Sequence, residues 1–203
     1  RSSDNTLTQI ESYYFKNLDN CKILLCDNRQ AERTVRIASA RNSIMDFVKH
    51  HYSDFDLLCF MDMDDIINAP FNLSTFEKSI EMFDRWDALS FHRERYYDIW
   101  ALRYEPYILP CWSWGPDSHK AVGHIQNDVI SKLDLLRDDE FLPVLSAFNG
   151  IALFKIEKFY NIRFNGLYKP MYYQNTFPFT HIPPYDDCEW VNFHENARLV
   201  HPK

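Results

Sequence analysis

Glycine is scarce in this chain. There are four, Gly115, Gly123, Gly150 and Gly166, and no two stand close together. A dinucleotide fingerprint or a P-loop needs closely spaced glycines, so that backbone amides can close around phosphate. Neither can be built here. Any nucleotide bound by this chain must have its phosphates neutralised by side chains and a cation. The five cysteines, Cys21, Cys26, Cys59, Cys111 and Cys188, are odd in number and scattered, which does not read as a disulfide framework. No C-x-x-C pair and no H-E-x-x-H occurs, so a zinc site is not expected. Cys59 lies inside an apolar run and is expected as an inert core thiol; a reducing compartment fits. Positive charge is not in excess: 22 Lys and Arg stand against 29 Asp and Glu, for a net charge of -7. Domains that coat nucleic acid are usually basic, so no nucleic-acid partner is expected. No apolar run reaches the roughly 18 residues of a membrane span. The chain opens on Arg1 and not on Met, which leaves room for a removed signal or anchor upstream. A cytoplasmic setting is expected, or the secretory lumen if such an anchor was lost. Internal repeats and low-complexity segments are missing too.

What is present suits one globular domain. The 203 residues are 46% hydrophobic and 16% aromatic, enough for a full core. Helices are expected over Thr6–Phe15 and Ala31–His50, the second burying Val35, Ala38, Met45 and Val48 along one face. Short strands are expected at Lys22–Cys26, Asp56–Met61 and Asp87–Phe91. The apolar run of the middle one suggests a parallel sheet covered on both faces. Ser74 to Glu77 (S-T-F-E) reads as a capping box opening a helix to Arg85. Further on, the pattern predicts a helix over Gln126–Arg137, a strand over Phe148–Lys155 and a short helix after Tyr185–Trp190, ending near Ala197. Strands alternating with helices predict an α/β sheet with parallel crossovers. In such sheets ligands bind beyond the carboxyl ends of the strands.

Three carboxylates occupy that place. The run L-L-C-F-M ends in Asp62, Asp64 and Asp65. Residues i and i+2 of an extended strand share a face, so Asp62 and Asp64 point together. Like charges repel, and a cation should sit among them. Mg²⁺ and Mn²⁺ prefer oxygen ligands, and Mg²⁺ often takes one or two carboxylates beside substrate phosphates. A calcium loop of EF-hand type is disfavoured because Ile67 stands where the turn glycine belongs. An Arg in the same cleft, Arg36 or Arg41, would suit a diphosphate by charge and donor geometry; a solvated helix face is the plain alternative for both.

The segment R-I-A-S-A-R-N, Arg36 to Asn42, followed by a helix and F-M-D-M-D-D, resembles the nucleotide-sugar glycosyltransferases of the GT-A fold. With the later C-E-W-V-N-F-H, it is similar to fungal capsule mannosyltransferases and to glycosyltransferases of large algal viruses. The resemblance implies a GT-A-like, Rossmann-related α/β fold with a mixed, mostly parallel sheet flanked by helices. It implies a single domain over 1–203, with residues 1–92 binding the nucleotide-sugar and 93–203 the acceptor. Asp62, Asp64 and Asp65 would hold Mn²⁺ or Mg²⁺, Asp62 also approaching the ribose, with His194 and His201 as late metal ligands. Arg36, Arg41 and Asn42 would lie near the nucleotide, and Asn149 and Gly150 would line the donor sugar. UDP-sugar is the favoured donor over GDP-sugar. The acceptor would be a hydroxyl of a glycan or glycoprotein. An acidic pair late in the chain supplies the general base in inverting relatives; Asp187 matches best, with Asp186 and Glu189 as rivals, although acidic residues also favour a helix N-terminus for its dipole. Trp112 and Trp114 could stack on an acceptor sugar. A retaining transferase, a metal-dependent phosphohydrolase or nucleotidyltransferase, and a non-catalytic carbohydrate-binding module remain as alternatives.

Overall fold

The computed structural model describes residues 5–17, 22–26, 32–63, 72–92, 96–111, 117–167 and 187–202. Within them the chain forms a mixed α/β domain. In chain order the elements are α1 (Thr6–Asn17), α2 (Arg33–His51), β1 (Leu57–Met61), α3 (Leu73–Glu81), β2 (Ala88–Ser90), α4 (Ser118–Leu133), β3 (Ile151–Lys155), α5 (Ile156–Phe159) and α6 (Glu189–Val200). No helix among the described residues is long and apolar enough to cross a membrane.

The described sheet has three strands in the order β1-β3-β2, and both outer strands are antiparallel to β3. β1 and β2 therefore run in the same direction, as two strands joined through α3 should, but they are not neighbours. The expected parallel ladder is not found among the described strands. β3 takes the centre because its whole run, I-A-L-F-K, is buried. β1 differs: Cys59 and Met61 are exposed. Cys59 is thus a surface thiol, not the core thiol expected, and partial burial raises its pKa. The halves drawn at residue 92 share one sheet, since β3 of the second lies between β1 and β2 of the first.

Lys22–Cys26 is described but is not a strand. Four of its five residues are exposed, and Cys26 rests against α2, its sulfur 3.7 Å from Ser39 Oγ. Without a partner strand an apolar pentapeptide cannot satisfy its backbone in a sheet. The cap of α3 also moved. Asn72 is the N-cap, its side chain accepting from Thr75 N at 3.1 Å, so Ser74 is already inside the helix. After α3 a short 3₁₀ turn, Phe83–Arg85, replaces the expected extension. α4 begins earlier than its pattern suggested, at Ser118 instead of Gln126.

The core is aromatic. Trp190 on α6 stacks on Phe148 with centroids 4.2 Å apart, and Phe164 stacks on Phe193 at 4.0 Å. Phe60 of β1 meets Trp190 edge-on at 5.3 Å. Such offset and edge contacts add to area burial. A second cluster, built by Tyr96, Ile99, Leu102 and Tyr104 against Ile125 and Val129 of α4, uses up much of the aromatic middle. Trp112 and Trp114 lie outside the described residues. At residue 166 the chain passes so near α2 that a Cβ would stand 2.4 Å from Thr34 O, which only glycine tolerates.

Candidate functional site

Asp62 is the first residue past β1. Its N–H donates to Gly150 O at 2.9 Å, which adds one more rung after the strand and fixes where its side chain begins. Gly150 can offer that carbonyl because it takes a φ of 92°, a region that favours glycine. Asp62 keeps 35% of its side chain exposed, and Arg41 Nη2 stands 3.5 Å from its Oδ1.

Arg41 projects from α2 and is 13% exposed. Its guanidinium carbon lies 4.3 Å from the Trp190 ring centroid, with Phe148 and Phe164 at 5.5 and 5.7 Å. A delocalised cation over an aromatic face is favourable, the more so when partly desolvated. Nη1 donates to Glu189 Oε1, in the first turn of α6. One cation thus joins residues 41, 62 and 189.

Two more carboxyl groups adjoin this pair. Asp98 Oδ1 accepts from Ala101 N at 3.1 Å. Its backbone is set by Asn149, a fully buried side chain whose Oδ1 accepts from Tyr97 N at 3.0 Å and Asp98 N at 3.4 Å. Burial pushes the Asp98 carboxyl up to about 6; Glu189 and Asp62 add to the rise, while the Ala101 bond and Arg41 oppose it. Asp187, just before the α6 N-cap Cys188, is 1% exposed. Its Oδ1 accepts from Arg103 Nη2 at 2.5 Å and from Cys188 N at 2.7 Å. Its Oδ2 is buried and has no hydrogen-bond partner among the described residues. Burial lifts this carboxyl too to about 6, against the pull of Arg103 and with a push from Glu189. Desolvation outweighs a short ion pair here, as it commonly does in interiors.

Among the described residues four carboxyl groups (Asp62, Asp98, Asp187, Glu189) therefore meet two guanidiniums (Arg41, Arg103), so negative charge is in excess among them. The donor set is all oxygen, and the half-exposed Asp62 stands at its rim. That chemistry fits a hard divalent cation and not a soft one. Asp64 and Asp65, the next carboxylates in the chain, and Asp186 lie outside the described residues. Among the described residues no three candidate ligands converge closely enough to form a metal group by themselves.

The other expected site residues take these positions. Asn42 clips the backbone of Phe164, donating to its O and accepting from its N, both at 2.9 Å. It also lines a groove of about 370 Å³ between α2 and residues 164–167, whose lining does not include Arg41 or Asp62. Arg36 is on the exposed side of α2. Asn149 and Gly150 hold Asp98 and Asp62 in place through the bonds above. His194 is buried among Trp190, Phe154 and Phe159, its Nδ1 3.0 Å from Ser146 Oγ, and burial drives its pKa down to about 3. His201 is exposed at the end of α6. The sequence pattern did not single out Asp98 or Arg103. Two signals were there: an Asp three residues before a turn amide in D-I-W-A, and an Arg ending the apolar run I-W-A-L. A charged residue in such a run needs a buried partner.

Comparison of the chain with protein-family models, with curated proteins and with solved structures finds no match.

Proposed function

We propose that this chain is a metal-dependent glycosyltransferase, moving a sugar from a nucleotide-sugar, UDP-linked in preference to GDP-linked, to a hydroxyl of a glycan or glycoprotein with inversion. The observation that carries the reading is the convergence of Arg41, Asp62 and Glu189 from distant parts of the chain, with Asp98 and Asp187 alongside. Gathering carboxyl groups whose pKa values rise toward neutrality costs stability, and such clusters concentrate at functional sites. The motif resemblance at Arg36–Asn42 and Asp62–Asp65 points the same way.

Asp62, with Asp64 and Asp65, would hold Mn²⁺ or Mg²⁺. When bound, the cation would neutralise charge on the departing nucleoside diphosphate. Arg41 would turn its guanidinium fork from carboxylate to diphosphate oxygen, two acceptors of matching geometry. Trp190 beneath it would keep that fork in place during the exchange. The acceptor hydroxyl must lose a proton as its oxygen attacks the anomeric carbon, and the clustered carboxyl groups can take it.

The test is calorimetric titration of UDP and of GDP, each with and without Mn²⁺, on the native chain, Asp64→Ala and Arg41→Met. Metal-dependent binding of one nucleotide, lost in Asp64→Ala and weakened in Arg41→Met, is expected. Folded native protein that binds neither nucleotide overturns the reading.

A further inference from the structure

If the chain transfers sugar as proposed, a reading on which the following rests, the proton acceptor needs an oxygen that is held in place yet open. Of the carboxyl groups beside Arg41, two fail that condition. Asp187 is 1% exposed and locked by Arg103 at 2.5 Å. Glu189 is 4% exposed, too buried for an acceptor hydroxyl to reach it whether or not Arg41 stays on it. Asp98 meets it. Among the described residues its carboxylate accepts one hydrogen bond, from Ala101 N to Oδ1, and none at Oδ2, and the residue is half-buried. Its backbone is fixed from the far side by the buried Asn149 amide.

We infer that Asp98 is the general base: its open Oδ2 receives the proton of the acceptor hydroxyl. As that O–H bond breaks, the oxygen forms its bond to the anomeric carbon. The bond from that carbon to the diphosphate oxygen breaks, and its electron pair leaves with the nucleoside diphosphate. Asp187 and Arg103 then form a fixed wall and not the reacting pair. Among the described residues the charged groups in reach of Asp98 are Glu189 and Asp62, which favour its uptake of a proton, and Arg41, which opposes it. A base whose pKa lies near the working pH is the effective one.

Two measurements on the full chain decide this. The first is labelling at pH 6 with a water-soluble carbodiimide and glycine ethyl ester, read by peptide mass spectrometry. Asp98 is expected to label several-fold faster than Asp187 or Glu189. Labelling of either of those two ahead of Asp98 overturns the assignment. The second is release of nucleoside diphosphate from UDP-glucose and GDP-mannose with water as acceptor. Asp98→Asn, whose amide oxygen can still accept from Ala101 N, is expected to lower kcat by about 10²–10⁴-fold with nucleotide binding unchanged. Asp98→Glu should recover part of the rate and shift the acid limb of the pH profile. Native turnover in Asp98→Asn overturns the role of Asp98 and leaves the transferase standing. Failure of UDP and GDP to bind the native chain removes the transferase and the base together.

Discussion

Replacing Arg103 by Met is expected to cost the fold about 3–5 kcal/mol at pH 7, because it leaves a buried carboxylate without its counter-charge. Arg103 is 3% exposed and Asp187 1%, with 2.5 Å between Nη2 and Oδ1. Even with this partner the Asp187 carboxyl rises from its ordinary 3.8 to about 6. A shift of that size corresponds to about 3 kcal/mol against the charged form at neutral pH. Without Arg103 the deficit grows. Asp187→Asn alone leaves the opposite charge unpaired. The double variant Arg103→Met/Asp187→Asn buries neither charge. Its remaining loss is the donors to Trp100 O at 3.0 Å and Leu102 O at 2.6 Å, about 1 kcal/mol each. The double variant should therefore be more stable than Arg103→Met. The sign with pH is fixed by the direction of the shift. A carboxyl whose folded pKa lies above its unfolded value contributes stability that is complete below the unfolded pKa and is lost as pH rises through the folded one. The window here runs from 3.8 to about 6. The penalty of Arg103→Met should accordingly shrink at pH 5, where the buried carboxyl can take up a proton. Urea unfolding followed by tryptophan fluorescence at pH 7 and pH 5 measures all four proteins. Single-variant losses that add to within about 0.5 kcal/mol would refute the coupling, as would an Arg103→Met penalty equal at both pH values.

Asn42→Ala removes both bonds to the Phe164 backbone, each 2.9 Å, and is expected to cost about 2 kcal/mol in urea unfolding; nucleotide affinity per folded molecule should not change, and a loss of affinity with stability intact would show that Asn42 binds ligand directly. His194 is buried with its pKa down to about 3 against an ordinary 6.5, so its contribution is complete above 6.5 and is lost as pH falls toward 3. His194→Gln should flatten the fall in urea midpoint between pH 6.5 and pH 4.5, and an unchanged slope would assign the acid instability to other groups.

The helices were legible because their signals are local. α1 and α2 fall within two or three residues of their periodic patterns, and Ala38, Met45 and Val48 bury the face that the spacing marks. Strand pairing was not legible in the same way. β1 and β2 share a direction, as the crossover through α3 requires, but the strand between them arrives from residue 151, some sixty residues after β2. Nothing in the local pattern of I-A-L-F-K states which neighbours it takes. The segment K-I-L-L-C has a strand's composition and is not one, because β-propensity describes a fit to a half-buried pleated surface and this segment meets no such surface among the described residues.

The candidate site divides along the same line. Asp62 and Arg41 were readable as chemistry at a strand end and on a helix, and the fold does bring them within 3.5 Å. Asp98 was hidden, because its character comes from its surroundings: desolvation, then Glu189 and Asp62 against Arg41, residues separated from it by up to ninety positions. Asn149 was readable as a residue near the site, and its hydrogen bonds were not. Its amide was expected beside a sugar; its Oδ1 receives two backbone N–H groups and fixes the loop that carries Asp98. A carboxylate at a motif can be found by spacing. A carboxylate tuned toward neutral pH is found only where the charges around it are known, since the same Asp on an open turn would stay near its ordinary value. Asp98, which the motif does not name, is for that reason visible only through burial and through Glu189, Asp62 and Arg41, the charges that the fold sets around it.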